Sequence, residues 1–135
     1  MDHEVRDETT RKFIAALRHL EQVRDLEPMA ALFSDEAEVK SIDGHGTRTG
    51  PDGITALFDE YLRQFDEVRT TFTQVTEGER HAALEWTTAA TRAGGHDVSY
   101  TGVTIIDLDG DRVTGFRTVY DSAALMGPTV LTDRT

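Results

Sequence analysis

Glu85 sits in Ala82-Ala83-Leu84-Glu85-Trp86-Thr87, where strand alternation puts Ala83, Glu85 and Thr87 on one face and Leu84 with Trp86 on the other. If the Glu85 face lines a pocket, it carries a carboxyl into a dry site, where a raised pKa lets the group exchange protons near neutral pH. If Leu84 and Trp86 fill the core instead, Glu85 faces water. Tyr100 and Tyr120 are phenols that can orient a carbonyl or hydroxyl in a pocket, or serve as amphipathic rings at an interface. Trp86 reads as a core or dimer-face ring or as a wall for substrate, and Tyr61 as a core ring whose hydroxyl reaches a pocket mouth. Asp43-Gly44-His45 brings an acid and an imidazole together, as a pH-tuned base requires, although glycine-flanked Asp and His also serve simply as turn residues. The five histidines, His3, His19, His45, His81 and His96, fall in no metal-ligand motif such as H-E-x-x-H. With no cysteine there is no thiol nucleophile, thiolate zinc site or disulfide, so neither a metal site nor a cofactor is expected.

These groups need elements to hold them. Phe13, Ala16, Leu17 and Leu20 recur at helical spacing between Val5 and Arg24, which predicts an amphipathic helix. Pro28 suits the first turn of a short second helix, Met29 to Phe33, because the missing N–H is not needed there. A strand is expected at Ala37 to Ile42, then a glycine-rich loop from Asp43 to Gly50. Pro51 opens a third helix with an apolar stripe of Ile54, Leu57, Phe58, Tyr61, Leu62 and Phe65. Val, Thr and aromatic residues then dominate four predicted strands: Glu67 to Thr76, Arg80 to Arg92, Asp97 to Leu108 and Arg112 to Asp121. Their short connections, including the hairpin signal Asp109-Gly110, make them an antiparallel meander whose inner face the helices must cover. The class is α+β, a single domain over residues 1–135, with its core at about 10–125 and a tail at 126–135.

The chain has 135 residues and a formal net charge of −11, which opposes association with phosphate backbones or anionic lipid. No apolar run is long enough to span a bilayer, and the first eight residues are too polar for a secretory signal. The expectation is a cytoplasmic protein with neither nucleic acid nor membrane as partner.

Three segments carry a family resemblance. Asp25-Leu26-Glu27-Pro28-Met29-Ala30-Ala31-Leu32-Phe33-Ser34-Asp35-Glu36-Ala37-Glu38-Val39 looks like a D-L-x-x-h-x-x-L-F-x-x-D-h segment, with h apolar. Gly50-Pro51-Asp52-Gly53-Ile54 looks like a G-x-x-x-I helix opening, and Gly102 through Asp121 like a final hairpin. With this order of elements, the chain resembles the nuclear transport factor 2-like superfamily, in particular its SnoaL-like branch of small polyketide cyclases. The resemblance implies a cone-shaped curved sheet packed against three N-terminal helices, a cavity for a small, mostly apolar organic ligand, and a homodimer formed through the outer face of the sheet.

Known chemistries of that superfamily map unevenly onto this chain. A ketosteroid isomerase-like site meets Ser41, Phe13 and Thr104 where it needs a base and two proton donors. A limonene epoxide hydrolase-like site meets Ala83, Glu85 and Thr118, so only one of its charged groups survives. The cyclases' aspartate corresponds to Asp121, next to Tyr120, and only one of these neighbours can face inward on a regular strand. The resulting expectation is cofactor-free cyclisation, isomerisation or hydration, with Glu85 or Asp121 moving the proton and Tyr100 or Tyr120 orienting the substrate. Tyr61, Trp86, His45, Phe116 and Thr104 would complete the binding site. The alternative is a ligand-binding or association module of the same fold without catalysis.

Overall fold

A computed structural model describes residues 5–41 and 47–121. In chain order the elements are α1 (Glu8–Val23), α2 (Glu27–Leu32), β1 (Phe33–Ser41), β2 (Thr47–Thr49), α3 (Gly50–Arg63), β3 (Phe65–Glu77), β4 (His81–Arg92), β5 (His96–Asp109) and β6 (Arg112–Tyr120). The strands make one curved, unclosed sheet in the order β2-β1-β6-β5-β4-β3. From β3 to β6 it is the expected antiparallel meander. At its end β6 pairs in parallel with β1, which ties the two halves of the chain together.

Local chemistry explains the boundaries. Asp7 caps α1, its side chain accepting from Thr10 N at 2.8 Å, and Arg24 ends the helix in the left-handed region at φ 59°. Arg24 then reaches across to donate to the carbonyls of Leu62 and Phe65, fastening the end of α1 to the end of α3. Pro28 and Pro51 both lie in the first turn of their helices. Gly110, in the two-residue turn between β5 and β6, takes the positive φ of 61° that a side chain would resist.

One expectation needs amending. Part of the glycine-rich stretch is a strand, because Thr47, Arg48 and Thr49 pair antiparallel with Lys40, Val39 and Glu38. Two β-favouring threonines flank Arg48, and the neighbouring edge of β1 supplies the ladder that pure turn chemistry would leave unused.

The helices lie on the concave face of the sheet. Phe13, Leu20, Met29, Ile54, Leu84, Ile106 and Val113 are fully buried between the layers. Two carboxylates also fix α1 to β3. Glu77, at the end of β3, accepts from the backbone N–H groups of Arg6 and Asp7 at 2.8 Å, and Glu21 of α1 accepts from Thr70 N at 2.8 Å. Among the described residues, no helix is long and apolar enough to cross a membrane.

Candidate functional site

The helices do not fill the cone. A cavity of about 100 Å³ remains between α1, α3 and the concave face, several times the roughly 10–15 Å³ that one water needs. Phe13 and Leu17 of α1, one turn apart, form one wall. From α3, Leu57, Phe58, Glu60, Tyr61 and Gln64 form the second. The sheet contributes alternate residues: Phe65 and Thr70 of β3, Trp86 and Thr88 of β4, Tyr100 and Thr104 of β5, and Phe116, Thr118 and Tyr120 of β6. Rings therefore dominate the lining, and threonine hydroxyls punctuate it.

The rings support one another. Trp86 meets Tyr100 edge to face with centroids 5.5 Å apart, and Tyr120 lies 5.6 Å from Tyr100 and 6.5 Å from Trp86. Gly102, between Tyr100 and Thr104 on β5, makes room for this group, since a Cβ there would stand 2.6 Å from the Trp86 ring.

Two hydroxyl chains organise the polar part. Tyr61 donates to Glu21 Oε2 at 2.7 Å, Thr70 Oγ1 donates to the same oxygen at 2.7 Å, and Thr88 Oγ1 lies 2.8 Å from Thr70 Oγ1. Glu21 is buried, and its carboxylate is the common end of this chain. On β4, β5 and β6, Trp86 Nε1 donates to Thr104 Oγ1 at 2.9 Å, and Thr104 lies 3.2 Å from Thr118. Burial pushes the phenol of Tyr61 well above its ordinary pKa, the negative charge of Glu21 adds to the effect, and the Thr70 hydroxyl opposes it. Tyr100 is pushed up as well, first by burial, then by Tyr120 and Glu21, with Arg92 opposing. Both phenols are therefore neutral donors at physiological pH.

The structure divides the residues expected from sequence. Tyr61, Trp86, Tyr100, Thr104, Phe116 and Tyr120 all line the cavity. Glu85 does not, and this corrects the pocket placement: Leu84, Trp86 and Thr88 point inward, leaving Glu85 exposed on the convex face. Burying Leu84 and Trp86 removes far more apolar surface from water than burying Ala83 would, and that decides the phase of the strand. Asp121 is corrected on similar grounds, since it follows Tyr120 beyond the end of β6 and is exposed, while Tyr120 takes the inward position. His45, with Asp43, lies outside the described residues.

Glu21 was not among the sequence candidates. Yet it continues the inward row of α1, four residues after Leu17 and eight after Phe13. A charged residue in register with an apolar stripe is the signal that identifies it. Among the described residues, no three His, Asp or Glu side chains gather as a metal ion would require.

Comparison with known proteins agrees with this fold. The family model described as a SnoaL-like domain matches residues 10–116. The fold is similar to that of an NTF2-like protein from Anabaena variabilis, with TM-score 0.81 and 14% identity over 92% of this chain and 96% of that one. It is also similar to a protein of ketosteroid isomerase-like fold from Catenulispora acidiphila in complex with trimethylamine, with TM-score 0.76 and 16% identity over 89% of this chain and 90% of that one. TerC co-crystallised with polyporic acid gives TM-score 0.76 and 17% identity over 88% of this chain and 96% of that one. Among curated proteins none matches.

Proposed function

The chain belongs to the SnoaL-like domain family, and from that premise we propose that it encloses a small, mostly apolar organic molecule and acts on it by cofactor-free proton transfer. The observation that carries this reading is the 2.7 Å hydrogen bond between Tyr61, on the cavity wall, and the buried carboxylate of Glu21. A proton leaving the bound molecule passes to the Tyr61 oxygen as the phenol proton passes to Glu21, so the tyrosine is never left as a phenolate. Cyclisation, isomerisation and hydration each need such a step. Trp86, Tyr100, Tyr120 and Phe116 supply the apolar walls that orient the molecule and exclude water. Two neighbours of the same fold hold small organic molecules, trimethylamine and polyporic acid, which supports the binding half of the reading.

The second reading is binding without turnover. It is favoured by the outward positions of Glu85 and Asp121, which leave Glu60 as the one carboxylate on the cavity lining itself among the described residues. Both readings accommodate a second copy of the chain on the convex face, where Ala83, Thr87, Val103, Ile105 and the exposed Val119 offer small and β-branched side chains. Sedimentation analysis tests that assembly.

To test catalysis, a pool of small organic compounds is incubated with the protein in deuterated water, and carbon-bound deuterium is measured in each compound. Exchange in a bound compound, lost in Tyr61→Phe and Glu21→Gln while binding persists, supports proton transfer. Binding with no exchange in any compound favours the second reading.

A further inference from the structure

The protons on one side of the cavity are already committed. Each hydroxyl carries one proton. Tyr61 gives its proton to Glu21, and so does Thr70, which means that the Thr70–Thr88 contact is filled by the proton of Thr88. Tyr61 and Thr88 therefore present lone pairs to the cavity. At these two oxygens a carbonyl or carboxylate meets only lone pairs, with the Glu21 charge behind them, and the Tyr100 phenol is the donor nearby. A group rich in N–H donors meets two acceptors.

Charge and size narrow the choice. Among the described residues the lining includes no Lys, Arg or His; Glu60 lies on it, paired with Arg48 at 3.0 Å, and the Glu21 carboxylate is one hydroxyl away. On its far side Glu21 borders an outer groove that includes Arg18, Arg24 and Arg69 along with Asp66, Glu67 and Asp97. The adjoining rings, Phe65, Tyr100, Trp86 and Tyr120, offer π-faces that attract cations. A volume of about 100 Å³ admits only a few heavy atoms.

We propose that the Tyr61–Thr88 end of the cavity is a subsite for the protonated amine of a small alkylammonium ion, with Tyr61 and Thr88 as acceptors and Glu21 as counter-charge. The proposal rests on the ligand-enclosing reading above and specifies the class of molecule enclosed.

A series built on one tert-butyl body tests it on the intact protein. tert-Butylammonium, tert-butanol, tert-butyl methyl ketone and pivalate share one apolar body and differ in their heads. Binding is followed by NMR through the Trp86 indole and the rings of Tyr61 and Phe116. The ammonium ion should bind at least about tenfold tighter than the alcohol, since hydrogen bonds to charged groups exceed neutral ones by that order, and the ketone and pivalate weaker still. In Glu21→Gln that preference should shrink to about threefold or less, with alcohol binding retained. A purely structural role for Glu21 would weaken every probe alike and would count against the proposal. Alcohol or ketone binding as tightly as the ammonium ion overturns the amine assignment and leaves the pocket reading standing. If none of the four probes moves any of these signals, both readings fall.

Discussion

Tyr61 and Glu21, forty positions apart, share a 2.7 Å hydrogen bond that joins α3 to α1 at the inner end of the cavity. The bond serves packing and chemistry at once. With the two bonds from Thr70 it satisfies a buried carboxylate, and it determines which way the phenol proton points.

Loss of the carboxylate should be felt across three elements. Glu21→Gln replaces an acceptor of three hydrogen bonds by an amide with a single acceptor oxygen, so one Thr70 or Tyr61 donor loses its partner. The expected cost is about 1–3 kcal/mol of unfolding free energy, measured by urea denaturation. An unchanged midpoint would mean that the carboxylate is not held as described.

Alkaline pH should destabilise the fold. Tyr61 and Tyr100 have pKa values raised in the folded state, whereas in the unfolded chain each titrates near the ordinary value of about 10. The unfolded state therefore gives up these protons first. Their contribution is complete below pH of about 10 and falls as pH rises toward the folded values. Tyr61 and Tyr100 should add their tyrosinate absorbance only as unfolding begins.

Gly102→Ala should alter the aromatic wall and strain the Trp86–Thr104 hydrogen bond while leaving the Tyr61–Glu21–Thr70–Thr88 chain in place. The added Cβ meets both the Trp86 ring and the Val119 carbonyl oxygen, so Trp86 must move or the strands must part. Overpacking of this kind costs about 1–3 kcal/mol. A shift in Trp86 fluorescence is the expected sign, and an emission spectrum identical to wild type would contradict the packing.

Glu85→Gln should be silent. Its side chain stands on the convex face, and exposed substitutions of this sort usually stay within about 0.5 kcal/mol. Stability and cavity-probe binding should both match wild type. A loss of probe binding would put Glu85 back at the site.

The architecture was legible because its signals are local and redundant. The row of Phe13, Leu17 and Leu20, the prolines at 28 and 51, and Asp109-Gly110 each specify an element or a turn independently of the others. The site was legible only in part, because it depends on phase. A single-residue slip exchanges Tyr120 for Asp121, and the register shift between Asp107 and Leu108 on β5 is of the kind that no alternation rule anticipates. For Glu85, the neighbouring Leu84 and Trp86 already carried the answer, and apolar area outweighed a resemblance in one charged group. Glu21 was hidden for a different reason. Scoring a helical stripe by its apolar members passes over the charged residue in register with them, although its partners Tyr61 and Thr70 arrive only from α3 and β3.

The parallel pairing of β1 with β6 bears on the order of assembly. Among the described residues, until β6 emerges from the ribosome β1 has beside it only the three residues of β2, while β3, β4 and β5 can already zip into hairpins. Closing that seam spans about eighty residues of chain, from Phe33 to Val113, and distant pairings of this type form slowly. Biogenesis thus leaves the closing of the sheet to the strand that also delivers Phe116, Thr118 and Tyr120, so a nascent chain lacks a finished chamber until β6 has been made.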